Sequence, residues 1–174
     1  MQLRPEHPTD APAIASLLAQ AFANHPHSAG TEPAIVRELR AAGALTLSLV
    51  AVDGADGLVG HVAFSPVTIA GRAGRWYGLG PISVRPSRQR SGIGARLMDE
   101  GLARLRALGA EGCVVLGEPA YYGRWGFVVH EGLVCPGVPP EYFMALAFGG
   151  AAPRGARHSR PSANWRPNSS SAAG

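Results

Sequence analysis

The sequence predicts one α/β domain in which a mixed β-sheet carries helices on both faces. Its 174 residues, of which 46% are hydrophobic, suffice for one core but not for two comfortable domains. Segments with the period of a helix and segments with the alternation of a strand follow one another along the chain. Their predicted order is β, α, α, β, β, β, α, β, α, β, β.

Helices dominate the first quarter of the chain. After a short strand over Gln2 to Arg4, apolar residues recur at helical spacing from Ile14 to Phe22. The preceding Thr9-Asp10-Ala11-Pro12 supplies a capping side chain and a proline in the first turn. A second helix is predicted to open at Thr31 and to end at Gly43.

Three strands are predicted in the middle of the chain. Leucines alternate with polar residues from Leu45 to Leu49, as in a half-buried strand. The turn Asp53-Gly54-Ala55-Asp56-Gly57 joins this strand to a second one, from Leu58 to Val67. A turn over Gly71 to Gly74 then leads into the third strand, from Trp76 to Val84.

The remaining predicted elements begin with a long helix that is apolar on one face from Ile93 to Leu108. Cys113 to Leu116 is continuously apolar, which is typical of a fully buried strand. A brief helix is predicted around Tyr121 to Trp125. The last two strands are predicted at Phe127 to Val129 and at Tyr142 to Phe148.

Composition divides the chain into a domain over residues 1–149 and a tail over residues 150–174. The tail is rich in Ala, Pro, Ser and Arg, and such a segment cannot bury enough apolar surface to offset its chain entropy, so we expect disorder. It holds four of the sixteen arginines and none of the twelve acidic residues. The domain is therefore neutral, which argues against a nucleic-acid partner.

Several other classes of protein are disfavoured by the sequence. Cys113 and Cys135 have neither C-x-x-C spacing nor a nearby histidine pair, so we expect reduced, buried thiols and no metal site. No signal-peptide pattern opens the chain, and no apolar stretch approaches the roughly 20 residues of a membrane helix. We therefore expect a cytoplasmic protein with no membrane partner.

The most informative segment, Val84 to Ala95, joins the third middle strand to the long helix. The first N–H groups of a helix lack partners and lie at its positive end, so a phosphate is stabilised there. Gly92 and Gly94 let these amides approach an anion closely. The segment and its flank carry four arginines that add positive charge, namely Arg85, Arg88, Arg90 and Arg96.

Two familiar phosphate loops do not match this segment. Leu97 stands where a dinucleotide-binding loop has its third glycine. A P-loop ends in Gly-Lys followed by Ser or Thr, and the chain contains no lysine. A tight turn beside a solvated arginine face remains the alternative to a phosphate site.

Two motifs resemble those of the GCN5-related N-acetyltransferase (GNAT) family. Gln89-Arg90-Ser91-Gly92-Ile93-Gly94 is similar to its Q/R-x-x-G-x-G/A pyrophosphate loop. Tyr121-Tyr122-Gly123-Arg124-Trp125-Gly126-Phe127 is similar to its segment of tyrosine, three residues and Gly-Phe. One helix and one buried strand separate the motifs, as in the family. The resemblance covers residues 1–149 and is strongest to the YhbS-like subgroup of predicted acetyltransferases.

The resemblance implies a fold, a cofactor and a reaction. The fold is a mostly antiparallel sheet that is splayed at the cofactor cleft. The cofactor is acetyl-CoA as acyl donor, with no metal, and the reaction is direct attack on the thioester by an amine of a small-molecule or peptidyl acceptor. The implied cofactor-binding residues lie on the strand and in the loop, namely Ile82, Ser83, Val84, Gln89, Arg90, Ser91, Gly92, Ile93, Gly94 and Ala95.

Catalytic residues are also implied by the resemblance. Tyr122 occupies the position whose hydroxyl protonates the departing sulfur, and a phenol with a pKa of about 10 remains protonated at neutral pH. Tyr121 is expected to be structural. For the base, Glu118 is preferred because it directly follows the buried strand, while Glu32, His61 and deprotonation through water are the alternatives.

A different class of function remains open. A non-catalytic acyl-CoA-binding regulatory module would keep the phosphate loop but would need no acid, so Tyr122 favours an enzyme. A nucleic-acid accessory protein that uses the arginine-rich tail is disfavoured by the neutral domain. The sequence specifies neither the acceptor nor the oligomeric state. A homodimer is compatible with it.

Overall fold

The structure is a computed structural model that describes residues 1–23, 30–69, 72–131 and 133–149, with residues 72 and 73 described by their backbone alone. Within these residues the strands are β1 (Gln2–Pro5), β2 (Leu47–Asp53), β3 (Gly57–Ile69), β4 (Arg72–Val84), β5 (Gly112–Leu116) and β6 (Phe143–Ala147). The α-helices are α1 (Ala11–Phe22), α2 (Glu32–Ala41), α3 (Ile93–Ala107) and α4 (Pro119–Tyr122). Short 3₁₀ turns lie at Pro8–Asp10, Pro86–Arg88, Gly123–Trp125 and Pro140–Tyr142.

The strands form one sheet in the order β1-β2-β3-β4-β5-β6. Every neighbouring pair is antiparallel except β4 and β5, which are parallel and are connected through α3. A parallel pair needs such a crossover, whereas the antiparallel neighbours are joined by hairpins or longer loops. The predicted fold class, a mixed and mostly antiparallel sheet, is confirmed.

Helices cover both faces of the sheet, and the alternating side chains of β2 contact both helical layers. Val50 packs against Ile14, Leu18 and other residues of α1 and α2, on what we name the α1–α2 face. Leu49 and Ala51 point the opposite way and belong to the core that contains α3. Both sets of side chains are buried, so the sheet is the middle layer of the domain.

The predicted helices are found, but the predicted cap of α1 is wrong. The Asp10 side chain makes no capping hydrogen bond to the helix. Its carboxylate instead accepts hydrogen bonds from the Arg4 guanidinium, at 2.6 and 3.0 Å, and from the His7 backbone N–H at 2.7 Å. These bonds lower the pKa of Asp10 to about 2, with Arg4 as the main cause. Asp10 therefore ties the end of β1 to the start of α1.

Two predictions about strands also need correction. Phe127 to Val129 is not a strand, because only Val128 pairs, as an isolated bridge to Ala145, and both valines are about half exposed. The turn predicted over Gly71 to Gly74 overlaps β4, which already begins at Arg72. The tail predicted at residues 150–174 lies outside the described residues.

Candidate functional site

The central feature of the site is a gap between β4 and β5. Their parallel pairing runs from Trp76 opposite Gly112 to Leu79 opposite Val115 and goes no further. β4 continues to Val84, so its residues 80–84 have no partner on the β5 side. The sheet therefore opens into a wedge with one unpaired strand edge, as the resemblance implies.

A bulge in β4 lies where the wedge begins. Val62 of β3 faces Ile82, but Phe64 faces Leu79, so Ala63 stands opposite both Gly80 and Pro81. Gly80 has a φ of 149°, a conformation that side chains rarely tolerate. Bulges re-aim the backbone groups of a strand and are frequent beside active sites. Here the bulge lies directly after Leu79, the last residue of β4 that pairs with β5.

The loop after β4 ends in a helix N-terminus that is open to an anion. Gly92 is the N-cap of α3 with a φ of 80°, and Arg90 has a φ of 60°. A Cβ placed on Gly92 would have nothing within 4 Å among the described residues. Because the first amides of a helix have no intrahelical acceptor, the N–H groups of this turn are available to a phosphate.

A cavity of about 560 Å³ lies between this loop and α4. The residues of its wall that the sequence predicted to bind cofactor are Val84, Arg90, Gly92, Ile93, Gly94 and Ala95. Ile82, Ser83, Gln89 and Ser91 do not line it, and the side chains of Ile82 and Ser83 are buried. Ile82 and Ser83 belong to the unpaired end of β4, and Val84, the last residue of that strand, lines the cavity, so the wedge and the cavity adjoin at Val84.

Four residues of the cavity wall were absent from the predicted set, namely Arg88, Ala120, Tyr121 and Arg124. The Arg88 guanidinium pairs with Asp53 at 2.6 Å and also with Asp56, so the β2–β3 hairpin neutralises it and anchors the loop. The sequence signal for Arg88 is its place in the segment from Val84 to Ala95, directly before the loop motif. The signal for Tyr121 and Arg124 was their place in the tyrosine motif.

Arg124 lies on an aromatic platform at the cavity edge. Its guanidinium carbon lies 4.3 Å from the centroid of the Tyr121 ring and 4.9 Å from that of Trp125. Its Nε donates to the Tyr121 carbonyl at 3.1 Å. The Trp125 indole donates to Asp99 of α3 at 2.7 Å, so α3 and α4 hold the platform together.

The two tyrosines of α4 have different environments. Tyr122, the predicted acid, is 2% exposed and packs edge-to-face against Tyr121 and Phe127, with ring centroids 5.0 and 6.0 Å apart. Tyr121, predicted to be structural, is only partly buried and lines the cavity. Burial raises the pKa of Tyr121, and the nearby Arg124 opposes this shift without cancelling it. Both tyrosines lie on α4, the helix that follows β5, but only Tyr121 reaches the cavity.

The three candidate bases are scattered. Glu118 is exposed at the N-cap of α4 and does not line the cavity. Glu32 is buried at the start of α2, beside residues 24–29, which lie outside the described part of the chain. His61 is fully buried in β3 on the α1–α2 face. The structure therefore does not gather them into one cluster.

Metal-binding clusters and membrane-spanning helices are absent from the described part of the chain. No group of three or more His, Cys, Asp and Glu side chains could hold a metal ion there. None of the described helices is long and apolar enough to cross a membrane. Cys113 and Cys135 are free and buried, as predicted, and burial raises the pKa of both thiols.

Comparison with known proteins identifies the family. The model of the GNAT acetyltransferase family matches residues 12–127. The chain belongs to this family. It is 39% identical to the uncharacterised N-acetyltransferase YhbS of Escherichia coli K12 over 137 residues, which cover 78% of this chain and 79% of that protein.

Solved structures of GNAT proteins agree with this assignment. A GNAT acetyltransferase from Brucella melitensis, crystallised with acetyl-CoA, superposes with a TM-score of 0.78 at 49% identity, covering 90% of this chain and 95% of the other. E. coli YhbS, crystallised with CoA, gives a TM-score of 0.77 at 37% identity, covering 84% and 80%. An aminoglycoside 6′-N-acetyltransferase has the same fold at 17% identity. The family and the fold predicted from the two sequence motifs are thus confirmed.

Proposed function

We propose that this GNAT protein transfers the acetyl group of acetyl-CoA to an amine of a small-molecule or peptidyl acceptor. The observation that carries the proposal is the continuity of the wedge with the cavity at the α3 N-terminus. The wedge offers an unpaired strand edge to the amide groups of a pantetheine arm, and the cavity offers helix amides and arginines to phosphates. The relatives crystallised with acetyl-CoA and CoA support the same assignment.

Each part of the site has a proposed role. The amides at Gly92 to Ala95 bind the pyrophosphate, with Arg90 and Arg124 adding positive charge beside it. Backbone N–H groups at the β4 bulge polarise the thioester carbonyl, since Gly80 there brings no side chain to obstruct it. The acceptor amine then attacks from a face of the sheet, because the cofactor fills the gap within it.

Tyr122 is proposed to protonate the leaving thiolate. It lies on α4, which follows β5 after one short turn, and packing against Tyr121 and Phe127 fixes its ring. Glu118 is the sequence-based proposal for the base. Because its side chain is exposed outside the cavity, its proton transfer would run through water.

A non-catalytic acyl-CoA sensor is the second candidate, and the burial of Tyr122 at 2% exposure is the observation that favours it. A sensor would bind acetyl-CoA but release no thiol with any amine. The proposed location is the cytoplasm, where acyl-CoA is available, and the neutral domain offers no nucleic-acid surface. A homodimer is compatible with this proposal.

The experiment that tests the proposed function is an acceptor panel. The full chain is incubated with acetyl-CoA and single amines, drawn from small primary amines, polyamines and lysine-containing peptides, and free thiol is followed with time. We expect thiol release above the hydrolysis background with at least one class of amine. Binding of acetyl-CoA without any such release would favour the sensor.

A further inference from the structure

A connected set of buried and partly buried polar side chains lies on the α1–α2 face of the sheet, outside the cavity. His61 Nε2 lies 2.8 Å from the Ser48 hydroxyl, which donates to Glu6 Oε2 at 2.5 Å. Arg40 of α2 donates to both Glu6 oxygens at 2.8 Å. His61 has no solvent exposure. A burial of this kind is costly unless the polar atoms are satisfied.

The hydrogen bonds assign the proton on the His61 ring. Burial alone would raise the pKa of Glu6, but the bonds from Arg40 and Ser48 lower it below its ordinary value, so the carboxylate can only accept. The single hydroxyl proton of Ser48 is directed to Glu6, so Ser48 must accept from His61 Nε2. The neutral ring therefore carries its proton on Nε2 and a lone pair on Nδ1.

A second unsatisfied polar group lies on the neighbouring strand. His61 Nδ1 and Ser83 Oγ are buried and have no hydrogen-bond partner among the described residues. His61 and Ser83 are directly opposite each other on β3 and β4, so both side chains lie on the same face, with Cβ atoms about 5 Å apart. Buried waters typically bridge two or more polar groups that would otherwise be unsatisfied, as these two are.

The site is close to the point where chemistry is proposed. Ala63, which faces the β4 bulge, is two residues along β3 from His61. At about 3.4 Å per residue the separation is about 7 Å along the strand, which one or two waters span. The side chains of Ala63 and His61 share a face because they are two residues apart. An acceptor amine that enters from the α1–α2 face would reach the bulge beside them.

We propose that His61 accepts the proton of the attacking amine through a water held between its Nδ1 and the Ser83 hydroxyl. This inference rests on the proposed acetyl transfer and adds its proton acceptor. Ser48 and Glu6 position the ring and stabilise its charged form.

The amine nitrogen forms a bond to the thioester carbon while the C–O π electrons move onto the carbonyl oxygen, and the N–H bond breaks toward the water, which passes a proton to His61 Nδ1. The electron pair on oxygen then re-forms the C–O π bond as the C–S bond breaks, and the C–S electron pair leaves on sulfur. The thiolate takes a proton from Tyr122, which regains one from solvent, or from solvent directly. The imidazolium returns its proton to solvent, so no other reactant is needed.

Burial sets the charge state of the His61 ring. Burial is the main cause that lowers the pKa of His61 to about 4, while Glu6 opposes this shift and Arg40 adds to it. The ring is therefore neutral at pH 7. Glu6 Oε2 lies 4.0 Å from Nε2 and favours the imidazolium once it forms. α1, which packs on this part of the sheet, carries no ionisable side chain.

The first test reads the tautomer without any acceptor. ¹⁵N NMR of the full chain labelled at histidine should show one ring protonated on Nε2 at pH 7, with Nδ1 as hydrogen-bond acceptor. This signal should disappear in His61→Gln. A neutral His61 protonated on Nδ1 would overturn the proposal, because that nitrogen could not receive a proton.

The second test is kinetic, with acetyl-CoA and an active amine from the panel. In His61→Gln the amide nitrogen can retain the bond to Ser48, but no atom replaces Nδ1. We expect kcat to fall by about 10² with the acetyl-CoA affinity unchanged. The loss should shrink as the pH rises because hydroxide takes over the proton, whereas a structural defect would not be relieved in this way.

Two further variants keep the test decisive. Ser83→Ala removes the second hydrogen-bond partner of the proposed water, so it should lower kcat. The double variant of His61→Gln and Ser83→Ala should be no slower than His61→Gln alone, because both changes remove the same water-mediated step. Glu118→Gln measures the competing base. A kcat for folded His61→Gln within about threefold of the parent, or a large loss confined to Glu118→Gln, would overturn the proposal. Should the parent release no thiol with any amine, the proposed function fails, while the NMR result still judges the site.

Discussion

The two tyrosines of α4 differ in the side chains that surround them. Their sequence positions are adjacent, yet Tyr122 is buried among Tyr121, Phe127 and the α3 core, whereas Tyr121 borders the cavity below Arg124. A Cβ on Gly117 would collide with the Tyr122 ring, so the chain just after β5 also fixes that ring. The close packing suits a proton donor that must hold one position.

Tyr122→Phe is predicted to lower turnover by about 10²- to 10⁴-fold, because the ring and its packing remain but the proton donor is lost. Acetyl-CoA affinity should change little. Tyr121→Phe is the matched control and should retain most of its turnover, since the Arg124 stack needs only the ring. Steady-state kinetics with any active amine decide this, and equal turnover of Tyr122→Phe and the parent would leave thiolate protonation to solvent.

At the scale of residues, motif positions were easier to predict than partners. Gly92 and Gly94 were recognisable because a helix N-terminus that admits an anion needs small residues there. That Arg88 is neutralised by Asp53 and Asp56 was not predictable, because these residues are more than thirty positions apart in the chain. The polar set around His61 likewise joins Glu6, Arg40 and Ser48 from three separate parts of the chain.

At the scale of elements, strong periodicity was a better guide than short apolar runs. α1 to α3 were predicted to within a few residues, because helical spacing repeats over several turns. The strand predicted at Phe127 to Val129 rests on a run of only three apolar residues, which is too short to show a period. Its Val128 and Val129 are exposed and only one bridge forms, since sheet pairing depends on a distant partner that the local sequence does not reveal.

The packing of α3 on β3 depends on Gly101, where a Cβ would collide with the Phe64 ring. Gly101→Ala is predicted to lower the free energy of unfolding by about 1–3 kcal/mol through overpacking, despite the higher helix propensity of alanine. Gly123→Ala is the control, because its Cβ would meet nothing within 4 Å among the described residues. Urea unfolding measures both, and equal stabilities would show that α3 can shift without cost.

At the scale of the whole molecule, the buried His61 predicts a pH dependence of stability. Its pKa is about 4 when folded against an ordinary value of 6.5, so the unfolded chain binds the proton more tightly. The stabilisation is complete above pH 6.5 and is lost as the pH falls toward 4, by roughly 3 kcal/mol in total.

This loss is measured by chemical denaturation between pH 7 and pH 4.5. His61→Gln should flatten the profile in that window, because its amide does not titrate. A parent protein that is equally stable at both ends of the range would contradict the burial of a neutral imidazole at this position.

The predicted boundary after Gly149 is testable on the intact chain. The core clusters are formed by residues before this point, and Phe148 is the last residue seen to pack against them. Removing residues 150–174 should therefore leave the melting temperature within a few degrees and the acetyl-CoA affinity unchanged. A larger fall in melting temperature would show that the tail packs on the domain.

The claim on which the rest depends is that acetyl-CoA binds at the α3 N-terminus. Isothermal titration calorimetry of the full chain should show one site of micromolar affinity. Gly92→Ala should weaken it at least tenfold, because a Cβ enters the space proposed for the pyrophosphate and the φ of 80° resists a side chain. Gly43 lies far from Gly92 in the sequence, has a φ of 63° and has open surroundings among the described residues. Gly43→Ala therefore carries the same backbone strain and should bind acetyl-CoA normally. Absence of binding to the parent, or equal affinities for all three proteins, would contradict the account.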